Sequence, residues 1–154
     1  SLNVKKSSLG ELLKWALEQI NKKQDFPDYI LYLNPDYAFR PENAIERLVE
    51  EACFKGLDSV VYGFKEFSNY FIFDDKKQDY ESFGDSLLDK NEKKPIYKGL
   101  YGIGCLTKPK IIRTCKLMGK SNIGIVPLTD YRYTLRYSKE GIKDIIENYP
   151  HEKK

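Results

Sequence analysis

The stretch that decides the fold runs over residues 28–41 and reads DYILYLNPDYAFRP. Five consecutive apolar or aromatic residues, 29–33, are typical of a strand covered on both faces, as in a parallel sheet. Pro35 ends this strand. Pro41 stands where the first turn of a helix is expected, because proline is favoured at that position. The stretch therefore predicts a buried strand, a loop over 34–41 and a helix.

Two amphipathic helices flank this strand. Before it, apolar residues recur at helical spacing from Leu9 to Ile20, and Ser8 with Glu11 forms a capping-box pattern. After it, apolar residues at helical spacing run from Ile45 to Cys53, and Gly56 is placed to end the helix. Both helices are expected to pack one face on the sheet.

Strands and helices continue to alternate along the rest of the chain. A second buried strand is predicted at 58–64 and a third at 69–73, closed by an Asp74-Asp75 turn. An excursion at about 65–97 includes a long stretch without regular pattern, which favours dimer packing. A glycine-containing strand is predicted at 98–106 and a helix at 109–118. Two further strands are predicted at 123–126 and 131–137, and a last helix, capped by Ser138, at 138–149. We predict one domain, a three-layer α/β/α sandwich with a mostly parallel sheet.

Length and charge exclude several classes of protein. A chain of 154 residues corresponds to one domain and buries enough surface to fold without disulfides or metals. Its 26 Lys and Arg against 23 Asp and Glu leave a net charge of +3, too small for a nucleic-acid footprint. No apolar run approaches the ~20 residues of a membrane helix. We expect no nucleic-acid and no membrane partner, and a cytoplasmic location.

Cysteine and histidine usage limits the chemistry further. Cys53, Cys105 and Cys115 are odd in number, lack metal-ligand spacing and fall on apolar stretches, so we expect reduced core thiols. The single histidine, His151, lies in a charged tail, which leaves catalytic triads and His-ligated zinc without a candidate. Catalysis would have to come from carboxylates, cations, a hard metal or backbone dipoles.

The loop at 34–41 is the most informative candidate site, because ligands in open α/β sheets bind beyond the carboxyl ends of the strands. Asn34 offers a donor and an acceptor, Asp36 a carboxylate, Tyr37 a ring with a hydroxyl, and Arg40 a planar cation. A sugar acid or a nucleotide could use all four. The same spacing also fits a purely structural loop, with Asn34 or Asp36 capping the turn and Arg40 paired to a glutamate.

Two weaker signals have structural explanations. Adjacent Asp74 and Asp75 point to opposite sides of a hairpin, which indicates turn chemistry rather than a metal site. Gly99, Gly102 and Gly104 would let a ligand approach the backbone, but they lack the following G-x-x-G of a phosphate loop. Close strand–helix packing explains these glycines equally well.

In its order of residues the loop resembles the acylneuraminate cytidylyltransferase family, enzymes that activate nonulosonic (sialic-type) sugar acids as CMP derivatives. In that family an apolar strand ends in Glu or Gln and is followed by Pro-Thr-Tyr-Pro-Phe-Arg-Pro. Asn34 stands at the Glu or Gln position, Asp36 replaces Thr and Ala38 replaces Pro. The matching positions are Pro35, Tyr37, Phe39, Arg40 and Pro41.

Later blocks are similar to the same family. They are KPIY at 94–97, GIGCLTKP at 102–109, IR at 112–113 and LMGK at 117–120. Their order makes the resemblance, which spans residues 8–147, more specific than any single block. It implies a nucleotide-diphospho-sugar transferase-like fold, of which the chain matches only the later part.

The resemblance implies transfer of CMP from CTP to the sugar acid, with the anomeric hydroxyl attacking the α-phosphate and pyrophosphate leaving. Mg²⁺ is expected for a complete family member, yet Leu135-Arg136-Tyr137 stands where its Asp-x-Asp lies. The family's glycine-rich CTP loop also has no counterpart. We therefore assign no cofactor to this chain and expect it to be inactive alone. The candidate substrate-binding residues are Asn34, Asp36, Tyr37, Arg40 and Arg136.

Two other functions fit parts of the pattern. One is a non-catalytic assembly or sugar-acid-binding module, and the other is a glycosyltransferase fragment, which Leu33-Asn34-Pro35-Asp36 also resembles. The family's first strand, the neighbour of 29–33, has no counterpart either, and an apolar strand edge needs cover. We expect a homodimer, a separate amino-terminal segment or a rearranged segment of the chain itself to supply that cover. Sugar acid and CTP are the expected ligands of a complete enzyme.

Overall fold

The structure is a computed structural model that describes residues 7–23, 26–84, 88–89, 91–137 and 143. Its helices are α1 (Leu9–Asn21), α2 (Ala44–Lys55), α3 (Pro109–Ile112) and a 3-10 helix (Tyr131–Thr134). Its strands are β1 (Ile30–Tyr32), β2 (Ser59–Glu66), β3 (Phe71–Asp74), β4 (Asp79–Ser82), β5 (Ile96–Gly99), β6 (Cys105–Thr107) and β7 (Ile123–Leu128).

Strand β2 is the centre of a mixed five-stranded sheet. Along one edge it pairs in parallel with β7, from Ser59 opposite Ile123 to Phe64 opposite Leu128. Along its other edge, the first half of β2 pairs antiparallel with β6 and the second half antiparallel with β5. β1 joins the outer side of β6, again antiparallel. Strands β1, β2 and β7 therefore share one direction, and β5 and β6 run against them.

The predicted α/β class is confirmed, and the sheet is mixed. The chain passes from β1 through α2 to β2 as the sequence predicts, but β6 lies between those two strands in the sheet. The neighbour of β1 is therefore antiparallel, and the residues of β1 are only partly buried. This mixed arrangement places the end of β1 beside the turn that precedes β6.

Helix α1 begins and ends where the sequence predicts, whereas α2 begins at Ala44, three residues after the Pro41 that is expected in its first turn. The Ser8 side chain accepts a hydrogen bond from the Glu11 N–H, and the Glu11 carboxylate accepts one from the Ser8 N–H at 2.7 Å, so the capping box of α1 is complete. Helix α2 ends at Gly56 with φ of +63°, a left-handed conformation that glycine adopts without strain. Leu48 and Ala52 of α2 are fully buried against the sheet, so α2 forms one side of the core.

The strand predicted at 98–106 is wrong. Residues 96–99 and 105–107 form two separate strands, β5 and β6, and the chain turns between them. The Leu100 N–H donates to the Tyr62 carbonyl at 2.7 Å, and the Ile103 N–H donates to the Leu100 carbonyl at 3.1 Å. The first of these bonds extends the pairing with β2 by one residue, and the second closes the turn in place of a bond to a neighbouring strand.

Two later elements also differ from the prediction. The helix expected over 109–118 ends at Ile112, and Cys115 adopts a left-handed φ of +58°, which no α-helix continues through. The strand expected over 131–137 is instead a 3-10 helix followed by an isolated bridge. Its first turn is capped by Asp130, whose carboxylate accepts the Arg132 N–H at 2.9 Å. Apart from residue 143, the helix predicted after Ser138 lies outside the described residues.

Strands β3 and β4 form a separate two-stranded hairpin. The predicted turn at Asp74-Asp75 is confirmed, because the Asp74 carboxylate accepts the Lys76 N–H at 2.8 Å. Strand β4 lies where the sequence shows no regular pattern, since its residues are polar and all exposed. The excursion thus contains a hairpin of its own.

The cysteine prediction holds for one residue of three. All three thiols are free, and Cys105 is buried, but Cys53 and Cys115 are exposed. Cys53 lies on the outer side of α2, and Cys115 lies beyond the end of α3, so neither belongs to the core.

Within the described part of the chain, no helix has both the length and the hydropathy that a membrane crossing requires.

Candidate functional site

Asn34 begins the loop that follows β1 and fastens it to the turn before β6. Its side-chain Oδ1 accepts the Asp36 N–H at 2.9 Å, and its own N–H donates to the Gly102 carbonyl at 2.8 Å. The turn-capping role that the sequence allowed for Asn34 is therefore present. Its side-chain acceptor is used within the loop.

Arg40 holds the same loop from inside. Its Nε donates to the Ile103 carbonyl at 3.2 Å, its Nη1 to the Tyr37 carbonyl at 3.3 Å and its Nη2 to the Asn34 carbonyl at 2.5 Å. All three acceptors are main-chain oxygens, and none is the glutamate that a structural loop led us to expect. The observed role of Arg40 is to orient the loop, and its direct contact with a sugar acid stays a prediction.

Tyr37 joins the loop to the carboxyl-terminal segment. Its hydroxyl accepts a hydrogen bond from Arg136 Nη2 at 3.2 Å, and the guanidinium carbon of Arg136 lies 5.2 Å from the ring centroid. The Ala38 N–H also donates to the Leu135 carbonyl at 3.4 Å, and the Tyr137 N–H donates to the Asp36 carbonyl. A bridge between Tyr37 and Arg136 thus brings together residues that are distant in the sequence.

Two of the three glycines in the 99–104 segment, Gly102 and Gly104, serve packing, whereas a Cβ at Gly99 would make only an ordinary contact. A Cβ at Gly104 would come within 2.7 Å of Leu48 Cδ1 on α2, and a Cβ at Gly102 would overlap the Tyr37 ring. Close packing, one of the two explanations that the sequence left open, accounts for both positions. The same segment supplies carbonyl oxygens to Asn34 and Arg40, and nothing in the sequence pattern indicates that partnership.

The surface of this region, which we call the mouth, consists of residues 34–37 and Arg136. Tyr37 is buried with 4% of its surface exposed, whereas Asp36 and Arg136 are exposed. The hydrogen bond to the Tyr37 hydroxyl is the main reason that the pKa of Arg136 is raised further above its usual value, and Asp36 adds a smaller attraction. Arg136 is therefore a permanent cation on an aromatic support.

The mouth brings Asn34, Asp36, Tyr37 and Arg136 together at the carboxyl end of β1, and the fifth predicted site residue, Arg40, binds the same loop from inside. The exposed charged groups of the mouth are one carboxylate and one guanidinium, whereas Asn34 Oδ1 and the Arg40 guanidinium are hydrogen-bonded within the loop. A guanidinium has five N–H donors, and the bond to Tyr37 uses one of them. The arrangement is suited to binding a carboxylate at Arg136 and hydroxyl groups at Asp36.

The residues of the mouth do not fit Mg²⁺. This ion takes about six oxygen ligands in near-octahedral geometry, but Asp36 is the one carboxylate of the mouth and Arg136 places a positive charge beside it. Across the residues that the structure describes, no group of three His, Cys, Asp or Glu side chains is arranged to hold a metal ion. We assign Mg²⁺ no role at the mouth.

Comparison with known proteins gives no family assignment. No protein-family model matches the chain, and no curated protein matches it significantly.

Proposed function

We propose that the chain is a cytidylyltransferase-like α/β domain, with a nucleotide-diphospho-sugar transferase-like three-layer fold, that binds a sialic-type sugar acid at the mouth. The observation that carries this proposal is the pairing of Tyr37 with Arg136. It fixes a permanent cation beside the exposed Asp36 carboxylate, at the end of the strand where ligands of α/β proteins bind.

Recognition of the acid follows from the groups that the mouth leaves free. The Arg136 guanidinium would bind the carboxylate of the sugar acid with paired N–H donors, a geometry that lysine cannot provide. Asp36 would accept hydrogen bonds from sugar hydroxyls. Asn34 and Arg40 would act indirectly, because their contacts hold the loop that presents Asp36 and Tyr37.

Transfer of CMP requires more than the mouth. The chain contains no glycine-rich loop of the kind that binds CTP phosphates in the family it resembles. We therefore propose that the chain alone binds the sugar acid and that CTP is bound only in a complete enzyme, where Mg²⁺ is also expected. A second candidate, a non-catalytic sugar-acid-binding module, is favoured by Arg136, a cation where metal-binding carboxylates are expected.

Calorimetry with N-acetylneuraminic acid tests the binding proposal. We expect Arg136→Gln to weaken binding about tenfold or more, since it removes a charge-assisted pair of hydrogen bonds. Arg132→Gln is the matched control, because Arg132 lies on the same segment and pairs with Asp130 at 2.6 Å. Equal binding by wild type and Arg136→Gln, or binding of CTP by the chain alone, would contradict the proposal.

Turnover separates the two candidate functions. Pyrophosphate release from CTP, with the sugar acid and Mg²⁺ present, would favour an enzyme. Binding of the acid without pyrophosphate release, measured under the same conditions, would favour the non-catalytic module.

The outer edge of β1 supports a partner strand. Among the described residues, β6 is the strand that pairs with β1, and two residues of β1 line an apolar groove of about 560 Å³. Phe26 in this groove is 73% exposed. The groove is lined by Ile20, Phe26, Pro27, Tyr29, Ile30 and Leu31. We propose that a second copy of the chain, or a separate amino-terminal segment, adds a strand at this edge.

The β3–β4 hairpin is the second surface that we propose for dimer packing. Phe71, Phe73 and Tyr80 are exposed on one face, with the rings of Phe73 and Tyr80 5.1 Å apart. A hairpin of two strands is only marginally stable in water without further cover.

Sedimentation at micromolar concentration should show a dimer. Phe26→Asp should weaken the dimer if it forms at β1, and Phe71→Asp should weaken it if it forms at the hairpin. A clean monomer whose β1 amides exchange freely would contradict both surfaces.

A further inference from the structure

A second groove lies at the opposite end of β1 from the mouth. It has a volume of about 720 Å³ and is formed where residues 27–29 enter β1, beside α2 and the start of α3. Its lining residues are Pro27, Asp28, Tyr29, Val49, Cys53, Lys108, Pro109, Lys110 and Arg113. The size matches the range of about 300–1,000 Å³ that is usual for small-molecule sites. We call it the basic groove.

Two of its cations are held in place by one carboxylate. Lys108 Nζ lies 3.0 Å and Lys110 Nζ 2.6 Å from the carboxylate oxygens of Asp58, a side chain that is only 17% exposed. Each ammonium group has three N–H donors, and one of them binds Asp58. Because Asp58 fixes both lysines, their remaining donors are ordered before any ligand arrives.

Arg113 supplies a third cation, and the charged groups of the basic groove carry a net positive charge. Arg113 is exposed and makes no ion pair with the residues that the structure describes. Asp28 is the acidic residue of the lining and would oppose an anion. Three cations therefore meet two carboxylates, Asp28 and Asp58, and the balance favours an anion.

The lining of the basic groove also includes apolar residues and one anchored aromatic ring. The Tyr29 hydroxyl donates to the Leu57 carbonyl at 2.7 Å, which anchors the ring, and Lys108 Nζ lies 5.8 Å from the ring centroid. Val49 and the two prolines of the lining add further apolar surface. A site that combines cations with a fixed aromatic ring is suited to binding an anion with an apolar body.

We propose that the basic groove binds a small phosphate monoester with an aromatic or apolar body. A phosphate monoester carries close to two negative charges at neutral pH and three acceptor oxygens, which match Lys108, Lys110 and Arg113. A carboxylate would bring only one charge and two oxygens. Because the basic groove and the mouth lie at opposite ends of β1, this site is independent of the function proposed for the mouth.

Cys53 provides a direct test, because its thiol is exposed and lies in the basic groove, whereas the exposed Cys115 is outside its lining. The experiment measures the rate at which a maleimide modifies each cysteine, read by peptide mass spectrometry, with and without phenyl phosphate. We expect bound phenyl phosphate to slow modification of Cys53 about fivefold or more by covering the thiol, and to leave Cys115 unchanged. Phenol, which lacks the phosphate, should not protect.

Variants in the lining locate the site. Arg113→Gln, which breaks no described ion pair, and Lys110→Gln should each raise the phenyl phosphate concentration needed for protection about tenfold, the loss typical of a charge-assisted hydrogen bond. Lys116→Gln, at an exposed cation outside the lining, is the control and should change nothing, whereas Asp28→Asn should strengthen protection. The proposal is overturned if phenyl phosphate does not slow Cys53, if it slows both cysteines equally, or if phenol protects as well.

Discussion

Gly102 and Tyr37 lie closer together than any side chain at position 102 would allow. A Cβ on Gly102 would stand 2.1 Å from Cε2 and 2.6 Å from Cδ2 of the Tyr37 ring. The ring is buried, and its hydroxyl is held by Arg136. Gly102 is therefore a packing requirement of the mouth, since any larger residue displaces the support of Arg136.

Gly102→Ala should destabilise the protein and disturb the mouth. We expect a loss of about 2 kcal/mol in the free energy of unfolding, the usual cost of forcing an extra carbon into a packed site. Urea unfolding measures this loss. Gly99→Ala is the matched control, because its nearest contact would be an ordinary 3.6 Å to Tyr101. Equal losses in the two variants would contradict the packing argument.

Arg40→Lys tests the assignment of Arg40 to the loop. An ammonium group cannot reach the three carbonyl oxygens that the guanidinium fork binds, so we expect a loss of about 2 kcal/mol in unfolding free energy. Arg47→Lys, on the exposed side of α2, should change stability little. If Arg40 acts by contacting the sugar acid alone, Arg40→Lys would weaken binding in calorimetry and leave the unfolding curve unchanged.

Local signals account for what the sequence predicted well. The capping box of α1 and the glycine that ends α2 depend on residues within one helical turn, so the sequence pattern contains all of their partners. The apolar runs at β1, β2 and β7 likewise predicted strands at those positions. By contrast, the alternation of Tyr131 to Tyr137 resembled a strand, yet the Asp130 carboxylate accepts the Arg132 N–H and the Asp130 carbonyl accepts the Tyr133 N–H, which closes a helical turn there.

The sequence predicted a cluster of polar residues after β1, but not the contacts that each of them makes. The loop at 34–41 follows a recognisable strand, and its polar residues do gather at one mouth. Arg40, however, binds a carbonyl 63 residues away, and Tyr37 binds an arginine 99 residues away. Sequence spacing cannot predict such partners, because they are brought together by the order of strands in the sheet. The residue types of the mouth were therefore predictable, whereas the division between loop-holding and exposed groups was not.

Asp58 should make stability depend on pH in the acid range. Its hydrogen bond to Lys110, and next the one to Lys108, hold the pKa of the Asp58 carboxyl below its usual value. The stabilisation is therefore complete above the usual pKa of about 4 and is lost as the pH falls through the lowered value. Asp58→Asn should lower the melting temperature at neutral pH, and the gap from wild type should close towards pH of about 2.

Melting temperatures of both proteins across this range check the prediction. Asp75→Asn, which removes an exposed carboxylate in the hairpin turn, is the control for a general change of charge. A gap between Asp58→Asn and wild type that stays constant into strong acid would show that the two lysines do not stabilise the ionised carboxylate.

Cys105 should be inert in the folded protein, whereas the other two thiols react. Burial raises the pKa of the Cys105 thiol to about 11, so very little reactive thiolate exists at pH of about 8. Cys53 and Cys115 are exposed, and a disulfide reagent should therefore titrate two thiols in the native protein and three after denaturation.

Because an unfolded cysteine ionises near pH of about 8.5, the neutral buried thiol also stabilises the fold below that pH and progressively less as the pH rises towards 11. Cys105→Ala should keep the two fast thiols and abolish the slow one, and three fast thiols in the native protein would show that Cys105 is not buried as the structure has it.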